Sequence, residues 1–198
     1  GIRKFLPVFR GVHIEWDVPG HGWAVPVEVL GPSNGQVLIR AITSSVSLGT
    51  ERAYYSLMPT TGVSFPYHPG YSLAGEVCQV GTGVKNLRPG QLVATQAPHA
   101  SLVVVPSEIV FSLPVGVVPE EGAFIYLGII ALQGIWRGDL HSGEGVAVLG
   151  RGPIGQLTVQ LVKALGGRTV VSIAPSERHC TPILERFAER VVATDKEG

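Results

Sequence analysis

The feature that most constrains the fold is a glycine-rich hexapeptide that follows a short apolar segment. The segment Gly145–Leu149 predicts a β-strand, and a helical pattern of apolar residues follows over residues 154–165. Between strand and helix, the first glycine would permit a tight turn, the second would let backbone approach a pyrophosphate, and the third would let the helix pack closely. The helix also offers unpaired N–H groups to an anion. We therefore predict that a dinucleotide binds at Gly150, Arg151, Gly152, Pro153, Ile154 and Gly155.

Two regions of different character flank residue 138. Before it, glycine and proline recur at short intervals between brief apolar runs, which predicts strands near residues 37–39, 75–80, 91–94 and 102–105 of a mostly antiparallel β domain. After it, strands at 145–149, 169–173 and 190–193 alternate with helices at 154–165 and 180–188, which is typical of a parallel sheet. The predicted class is thus α/β plus β, with domains at residues 1–138 and 139–198.

Composition argues against several classes of function. Fifteen basic residues balance fifteen acidic ones and form no cluster, so we expect no nucleic-acid partner. The longest uncharged run, residues 122–136, is shorter than the roughly 20 residues of a membrane-spanning helix, so it predicts a buried helix and no membrane partner. Two cysteines far apart in sequence, Cys78 and Cys180, suggest neither a disulfide framework nor a zinc knuckle, so a cytoplasmic location is expected.

Three segments carry a resemblance to a known family. Residues 70–93 (GYSLAGEVCQVGTGVKNLRPGQLV), 47–51 (SLGTE) and 140–155 (LHSGEGVAVLGRGPIG) resemble the medium-chain dehydrogenases/reductases, and the similarity runs from about residue 12 to residue 193. The resemblance implies a GroES-like, β-rich catalytic domain followed by a Rossmann domain. It further implies hydride transfer between a nicotinamide cofactor and a small-molecule substrate.

The sequence departs from the zinc-dependent members of that family. By this resemblance, Leu48 stands at the cysteine ligand position, Tyr71 at the histidine and Ser72 at the glutamate, and these residues do not rebuild a catalytic zinc site. The four closely spaced cysteines of the family's structural zinc lobe are also missing. We therefore expect no zinc and no metal site. The six histidines show no i,i+3 or i,i+4 pairing, and each is interpreted as a surface or hydrogen-bonded side chain.

Without a metal, reduction of a carbonyl or an alkene needs a group that donates a proton. Thr50 matches the hydroxyl residue that relays protons in alcohol dehydrogenase relatives, and it could equally be the N-cap of a helix that starts near Glu51. Tyr71 could donate through its phenol or merely fill space. Tyr54 and Tyr55 could border the cleft or serve packing, and Glu51 is expected to orient its neighbours.

The residues after the second parallel strand favour NADP as the cofactor. NAD-specific proteins place a carboxylate at the end of that strand, about 20 residues after the glycine loop. This chain has Ala174 there, with Ser176 and Arg178 available to bind a 2′-phosphate and Arg151 near the same region. In the alternative, Glu177 reaches the ribose and the cofactor is NAD.

Three functions remain open. The first is a zinc-independent alcohol or carbonyl dehydrogenase, the second is an NADPH-dependent quinone or enoyl reductase, and the third is a protein that binds nucleotide but is catalytically incompetent. The chain length supports the third function, because the 198 residues end after the first half of a Rossmann sheet. We expect that the chain is either truncated or part of a longer protein, and that the full-length protein is a homo-oligomer.

Overall fold

The computed structural model describes residues 6–59, 61–175 and 182–194. The chain divides into two compact units, residues 1–126 and 127–198. The strands of the first unit are β1 (Val8–Val18), β2 (His21–Leu30), β3 (Gln36–Ser44), β4 (Leu73–Val80), β5 (Leu92–Thr95), β6 (Leu102–Pro106) and β7 (Val110–Ser112). Its helices are α1 (Leu48–Tyr55) and α2 (Pro119–Gly122), and α3 (Ile125–Arg137) begins at its end. The second unit adds β8 (Gly145–Leu149), α4 (Pro153–Ala164), β9 (Thr169–Ala174), α5 (Pro182–Phe187) and β10 (Arg190–Ala193).

A five-stranded antiparallel sheet forms the centre of the first unit. Its strand order is β6-β3-β4-β5-β7. The strands are rich in valine and leucine, and the inward-pointing side chains form one apolar cluster. Each fully buried aliphatic side chain contributes roughly 1.5–3 kcal/mol relative to an exposed one. The fully buried members are Val37, Ile39, Leu73, Val77 and Val93.

A separate antiparallel pair, β1 and β2, precedes this sheet in the chain. The sequence analysis did not predict these strands, although the alternation of apolar and polar residues over residues 12–18 of β1 is a strand signal. Isolated bridges join β1 to two loop segments of the same unit, one between Trp16 and Tyr67 and one between His13 and Ala100.

The second unit is a three-stranded parallel sheet of order β10-β9-β8. The predicted strands at 145–149 and 190–193 have the observed bounds, and the helix predicted over 154–165 spans Pro153–Ala164. A core of six buried side chains packs α3, α4 and α5 with the strands. Within the described residues β8 pairs only with β9, so its other edge is open. The predicted class, a β-rich region followed by the first part of a parallel α/β sheet, is confirmed.

Helix α3 lies where the compact units divide. The division falls between residues 126 and 127, and Ile135 of α3 belongs to the core of the second unit. The domain boundary at 138/139 stays a prediction. Among the described helices, none is both long and apolar enough to cross a membrane.

Candidate functional site

The glycine loop has the geometry that the sequence predicts. Gly150 follows β8 with a φ of +105°, a conformation that residues with a side chain rarely adopt. A Cβ at Gly155 would lie 2.1 Å from the carbonyl oxygen of Gly150, so only glycine allows this approach of helix to strand. A Cβ at Gly152 would meet no atom of the described residues within 4 Å. The loop is therefore closed on its strand side and open at its second glycine.

The N-terminus of α4 follows directly from this open position. Gly152 is the N-cap, and Pro153 begins the helix. Proline suits this position because its missing N–H is one that the first turn would leave unpaired. The remaining N–H groups of Ile154 and Gly155 belong to the first turn, where anions are stabilised.

Arg151 lies in the same loop but is 3% exposed. Its Nη2 donates to the main-chain oxygen of Val192 in β10 at 2.6 Å. This contact ties the loop to the far strand of the sheet. In this arrangement the side chain holds the loop in place, and a contact between Arg151 and a nucleotide stays a prediction.

The two residues expected to select NADP lie outside the described residues. These are Ser176 and Arg178, which follow β9. Strand β9 ends at Ala174, one residue later than predicted, and no carboxylate stands at that end. The roles of Ser176 and Arg178 therefore stay predictions.

Helix α1 contains Thr50 and begins before the position near Glu51 that the N-cap interpretation of Thr50 required. The helix starts at Leu48 and its N-cap is Ser47. Glu51 reaches back over the first turn, and its Oε1 accepts the main-chain N–H of Ser47 at 2.7 Å. The interpretation of Thr50 as the N-cap is therefore wrong, because the carboxylate of Glu51 stabilises a start two residues before Thr50. Thr50 is half-buried in the first turn, and no side-chain partner is found for it among the described residues.

A chain of hydrogen bonds links α1 to two other segments of the first unit. Glu51 Oε2 lies 3.0 Å from Nε2 of His99, and His99 Nδ1 lies 2.8 Å from the hydroxyl of Ser44. A neutral ring with its proton on Nε2 satisfies both contacts, because it donates to Glu51 and accepts from Ser44. The side chains of His99 and Glu51 are largely buried. Three separate stretches of the chain are thereby fixed around one imidazole.

The main chain of His99 is held equally firmly. Its N–H donates to the oxygen of Pro69, and its oxygen accepts from the N–H of Ile14. Gly70 lies against the ring with a φ of +93°, and a Cβ there would come within 2.8 Å of the imidazole. The glycine before Tyr71 is thus required by the approach of His99.

The residues at the family's metal-ligand positions have different surroundings. Ser72 is 1% exposed, and its hydroxyl donates to the oxygen of Ala123 at 2.7 Å. Leu48 is 68% exposed at the start of α1. Tyr71 is half-buried, and no side-chain hydrogen bond is found for it among the described residues. The hydroxyl of Ser72 is thus engaged by the main chain, while the phenol of Tyr71 has no hydrogen-bond partner in the described part of the chain.

The two tyrosines of α1 belong to an aromatic cluster with Trp16 and Tyr67. Tyr54 meets the ring of Tyr67 edge-on at 5.5 Å, and Tyr55 meets Trp16 edge-on at 5.1 Å. The hydroxyl of Tyr55 donates to the oxygen of Gly20. Burial raises the pKa of Tyr67, and the charges of Tyr54 and Glu51 raise it further. Of the two interpretations of Tyr54 and Tyr55, these contacts favour packing.

The sequence analysis missed His99 and Ser44. It interpreted every histidine as a surface or hydrogen-bonded residue. His99 is indeed hydrogen-bonded, but the analysis did not predict its contacts with Glu51 and with Gly70, the residue before Tyr71. No local signal could have found it, because its partners lie 48 and 55 residues away.

Comparison with known proteins agrees with this arrangement. The family model for the alcohol dehydrogenase GroES-like domain matches residues 33–114, which contain β3 to β7 and the candidate active-site residues. The (R,R)-butanediol dehydrogenase of Bacillus subtilis is 28% identical over 142 residues, which is 58% of this chain and 41% of that enzyme. The chain spans about half the length of the curated relatives it matches.

Solved structures resemble most of the chain. The butanediol dehydrogenase from Bacillus subtilis superposes with a TM-score of 0.78 at 22% identity, over 93% of this chain and 63% of that one. The quinone oxidoreductase from Coxiella burnetii gives 0.79 at 22% identity, over 93% and 62%. A protein described as a short chain alcohol dehydrogenase from Escherichia coli CFT073, in complex with NADH, gives 0.82 at 20% identity, over 95% and 64%.

These findings agree with the resemblance that the glycine loop and the segments at residues 47–51 and 70–93 carry. The β-rich first unit is a GroES-like domain, and the second unit is the first part of a Rossmann sheet. Residues 33–114 match the alcohol dehydrogenase GroES-like domain, and the chain resembles dehydrogenases and quinone oxidoreductases in fold.

Proposed function

We propose that the protein of which this chain is part is a zinc-independent oxidoreductase that transfers hydride between NAD(P)H and an alcohol or carbonyl substrate. The observation that carries the proposal is the glycine loop, closed at Gly155 and open at Gly152 before the N-terminus of α4. Relatives named as dehydrogenases of small alcohols support the substrate class.

The residues present fit a dinucleotide. At Gly152 no atom of the described residues lies within 4 Å of a Cβ, which leaves room there for a pyrophosphate to approach the main chain. Ile154 and Gly155 would donate their N–H groups, and Ser176 with Arg178 would bind a 2′-phosphate, which favours NADP over NAD. When bound, the nicotinamide supplies the hydride acceptor or donor.

The residues present do not fit the family's catalytic zinc. Leu48 has no ligand atom, and the hydroxyl of Ser72 is engaged with Ala123. Zinc-binding alcohol dehydrogenases polarise the substrate oxygen with the metal. In this protein a hydroxyl must supply that interaction.

Thr50 and Tyr71 are the proposed proton donors. Both side chains are half-buried, and neither hydroxyl forms a hydrogen bond with another described side chain. Glu51 and His99 act as positioning residues: Glu51 fixes the first turn of α1, which carries Thr50, and His99 packs on Gly70 beside Tyr71.

A second candidate, reduction of a quinone or an enoyl substrate, is favoured by the likeness to the quinone oxidoreductase from Coxiella burnetii. Both candidates use the same cofactor loop and differ in the electrophile. The third candidate, nucleotide binding without turnover, would apply to the isolated chain, which spans only 41% of the butanediol dehydrogenase.

The test is oxidation of NADPH by the full-length protein with a panel of ketones, quinones and enoyl thioesters. We expect turnover of a ketone, a fall in kcat of tenfold or more in Thr50→Val or Tyr71→Phe, and no change in the matched control Thr82→Val, at an exposed turn. Turnover of a quinone or enoyl thioester alone would support the second candidate. Binding without oxidation of any substrate would support the third.

Cofactor choice needs its own measurement. We expect NADPH to bind more tightly than NADH, and Arg178→Ala to remove most of that difference, because charge-assisted bonds to phosphate each contribute about 1.5–3 kcal/mol. The control is Arg168→Ala, at an exposed arginine between α4 and β9. Tighter NADH binding that survives Arg178→Ala would assign the ribose contact to Glu177.

A further inference from the structure

A second group of chemically reactive side chains lies in the first unit and is not used by the proposed reaction. His13, Glu15 and His68 bring one ligand atom each to within 4.8 Å of one another. None of them stands at a metal-ligand position of the family, and none was singled out in the sequence. We propose that they form a binding site for a divalent transition-metal ion.

The strands explain why these three side chains meet. His13 and Glu15 are two residues apart in β1, so they point to the same face. The segment after residue 65 runs antiparallel to β1, with hydrogen bonds in both directions between Trp16 and Tyr67. This pairing places His68 directly opposite Glu15.

The distances approach those of a metal centre. Glu15 Oε2 lies 3.2 Å from Nε2 of His68 and 3.8 Å from Nε2 of His13. Around a tetrahedral zinc with bonds of 2.0–2.1 Å, two ligand atoms are about 3.3 Å apart. A small inward movement of His13 would therefore complete the triangle. Two imidazoles and one carboxylate are a ligand set that suits zinc and neighbouring transition metals.

The nitrogen of His13 provides an independent observation. Its Nε2 is buried, and within the described part of the chain it has no hydrogen-bond partner. A buried polar atom without a partner costs about 1–3 kcal/mol. The ring also lies 4.4 Å from the ring of His68, centre to centre. A metal ion would use one ring nitrogen of each of these two neighbouring imidazoles.

The surroundings leave the remaining coordination positions open. His13 and His68 both line a groove of about 610 Å³ that also contains Pro98 and Ala100. His68 is 48% exposed, while His13 is 19% exposed. Water could therefore reach a bound ion from the groove side. An ion here would join β1 to the segment that leads into Tyr71, so its expected effect is to stabilise that segment.

The test is calorimetric titration of metal-stripped protein with zinc chloride. We expect one zinc ion per chain, a loss of affinity of more than tenfold in His68→Ala and in Glu15→Gln, and no change in the control His141→Ala. His141 is a suitable control because it lies beside Glu144 on an exposed surface, 3.9 Å from it, in the second unit. His68 is exposed enough for its variant to fold, and circular dichroism checks this.

Cobalt(II) absorption gives a second measurement that a purely structural effect of the substitutions would not change. Wild-type protein should show visible d–d bands that disappear in His68→Ala. Absence of saturable zinc binding by folded wild-type protein would overturn the inference, as would binding that survives both substitutions. Zinc retained by the His68→Ala variant would indicate a metal elsewhere, which contradicts this site.

Discussion

Replacing Gly155 by alanine tests the structural basis of the nucleotide loop. The added Cβ would lie 2.1 Å from the Gly150 carbonyl oxygen, where ordinary contacts begin near 3.4 Å. Because that oxygen belongs to the main chain, no side chain can rotate away. The N-terminus of α4 would have to move from β8 by about 1 Å, and overpacking of this kind costs about 1–3 kcal/mol.

The same displacement should weaken nucleotide binding. The N–H groups of the first turn of α4 would move away from the phosphates, and a loss of about 1.4 kcal/mol in binding corresponds to a tenfold rise in Kd. We therefore expect Gly155→Ala to lower the free energy of unfolding by about 1–3 kcal/mol and to raise the Kd for NADPH at least tenfold. Urea unfolding followed by circular dichroism and titration of NADPH fluorescence measure the two effects.

Gly152→Ala is the matched substitution. Its Cβ would meet no atom of the described part of the chain within 4 Å, and its φ of −68° suits any residue. Loss of the glycine N-cap should cost less than about 1 kcal/mol. Its Cβ would nevertheless occupy the space proposed for the pyrophosphate, so affinity should fall while stability is nearly kept. Equal stability of the two variants, or unchanged NADPH affinity in Gly152→Ala, would refute this account of the loop.

Three further predictions concern other parts of the chain. Ser72→Ala should lower the free energy of unfolding by about 1–3 kcal/mol in urea, because it leaves the buried oxygen of Ala123 without its donor; a loss below about 0.5 kcal/mol would contradict this. Burial raises the pKa of Tyr126, so the folded state holds the phenol proton more tightly and stability should fall as pH rises above about 10. Urea unfolding across that pH range should show a smaller alkaline loss in Tyr126→Phe, and an unchanged loss would assign the effect to other groups. The 198-residue chain expressed alone should associate through the open edge of β8, and a stable monomer by light scattering would contradict that expectation.

The parallel sheet could be predicted from the sequence because its signals are local. The apolar segment Gly145–Leu149, the glycines after it and the periodicity of α4 all lie within about twenty residues, and the observed bounds differ little from those predicted. The start of α1 was less predictable. Leu48 and Gly49 give a weak local preference for helix, and the decisive contact is the reach of Glu51 back to Ser47.

The candidate site could be predicted only in part, since its remaining contacts connect distant segments. Thr50 and Tyr71 were suggested by positions in the family pattern. His99 could not be placed beside Glu51 without the sheet that brings the loop after β5 to α1. The same holds for His13 and His68, which meet because the segment of Tyr67 pairs with β1.

The hydrogen bonds of His99 also bear on the order of folding. Its ring closes loops of 55 residues to Ser44 and 48 residues to Glu51, and its main-chain oxygen closes a longer one to Ile14. Closing a long loop costs conformational entropy before the contact contributes any favourable free energy, so such contacts form slowly. The imidazole can reach its partners only after β3, β4 and β5 have assembled. We therefore expect this region to mature late on the folding pathway, after the hydrophobic nucleus, so that substitutions of His99 change the unfolding rate far more than the folding rate.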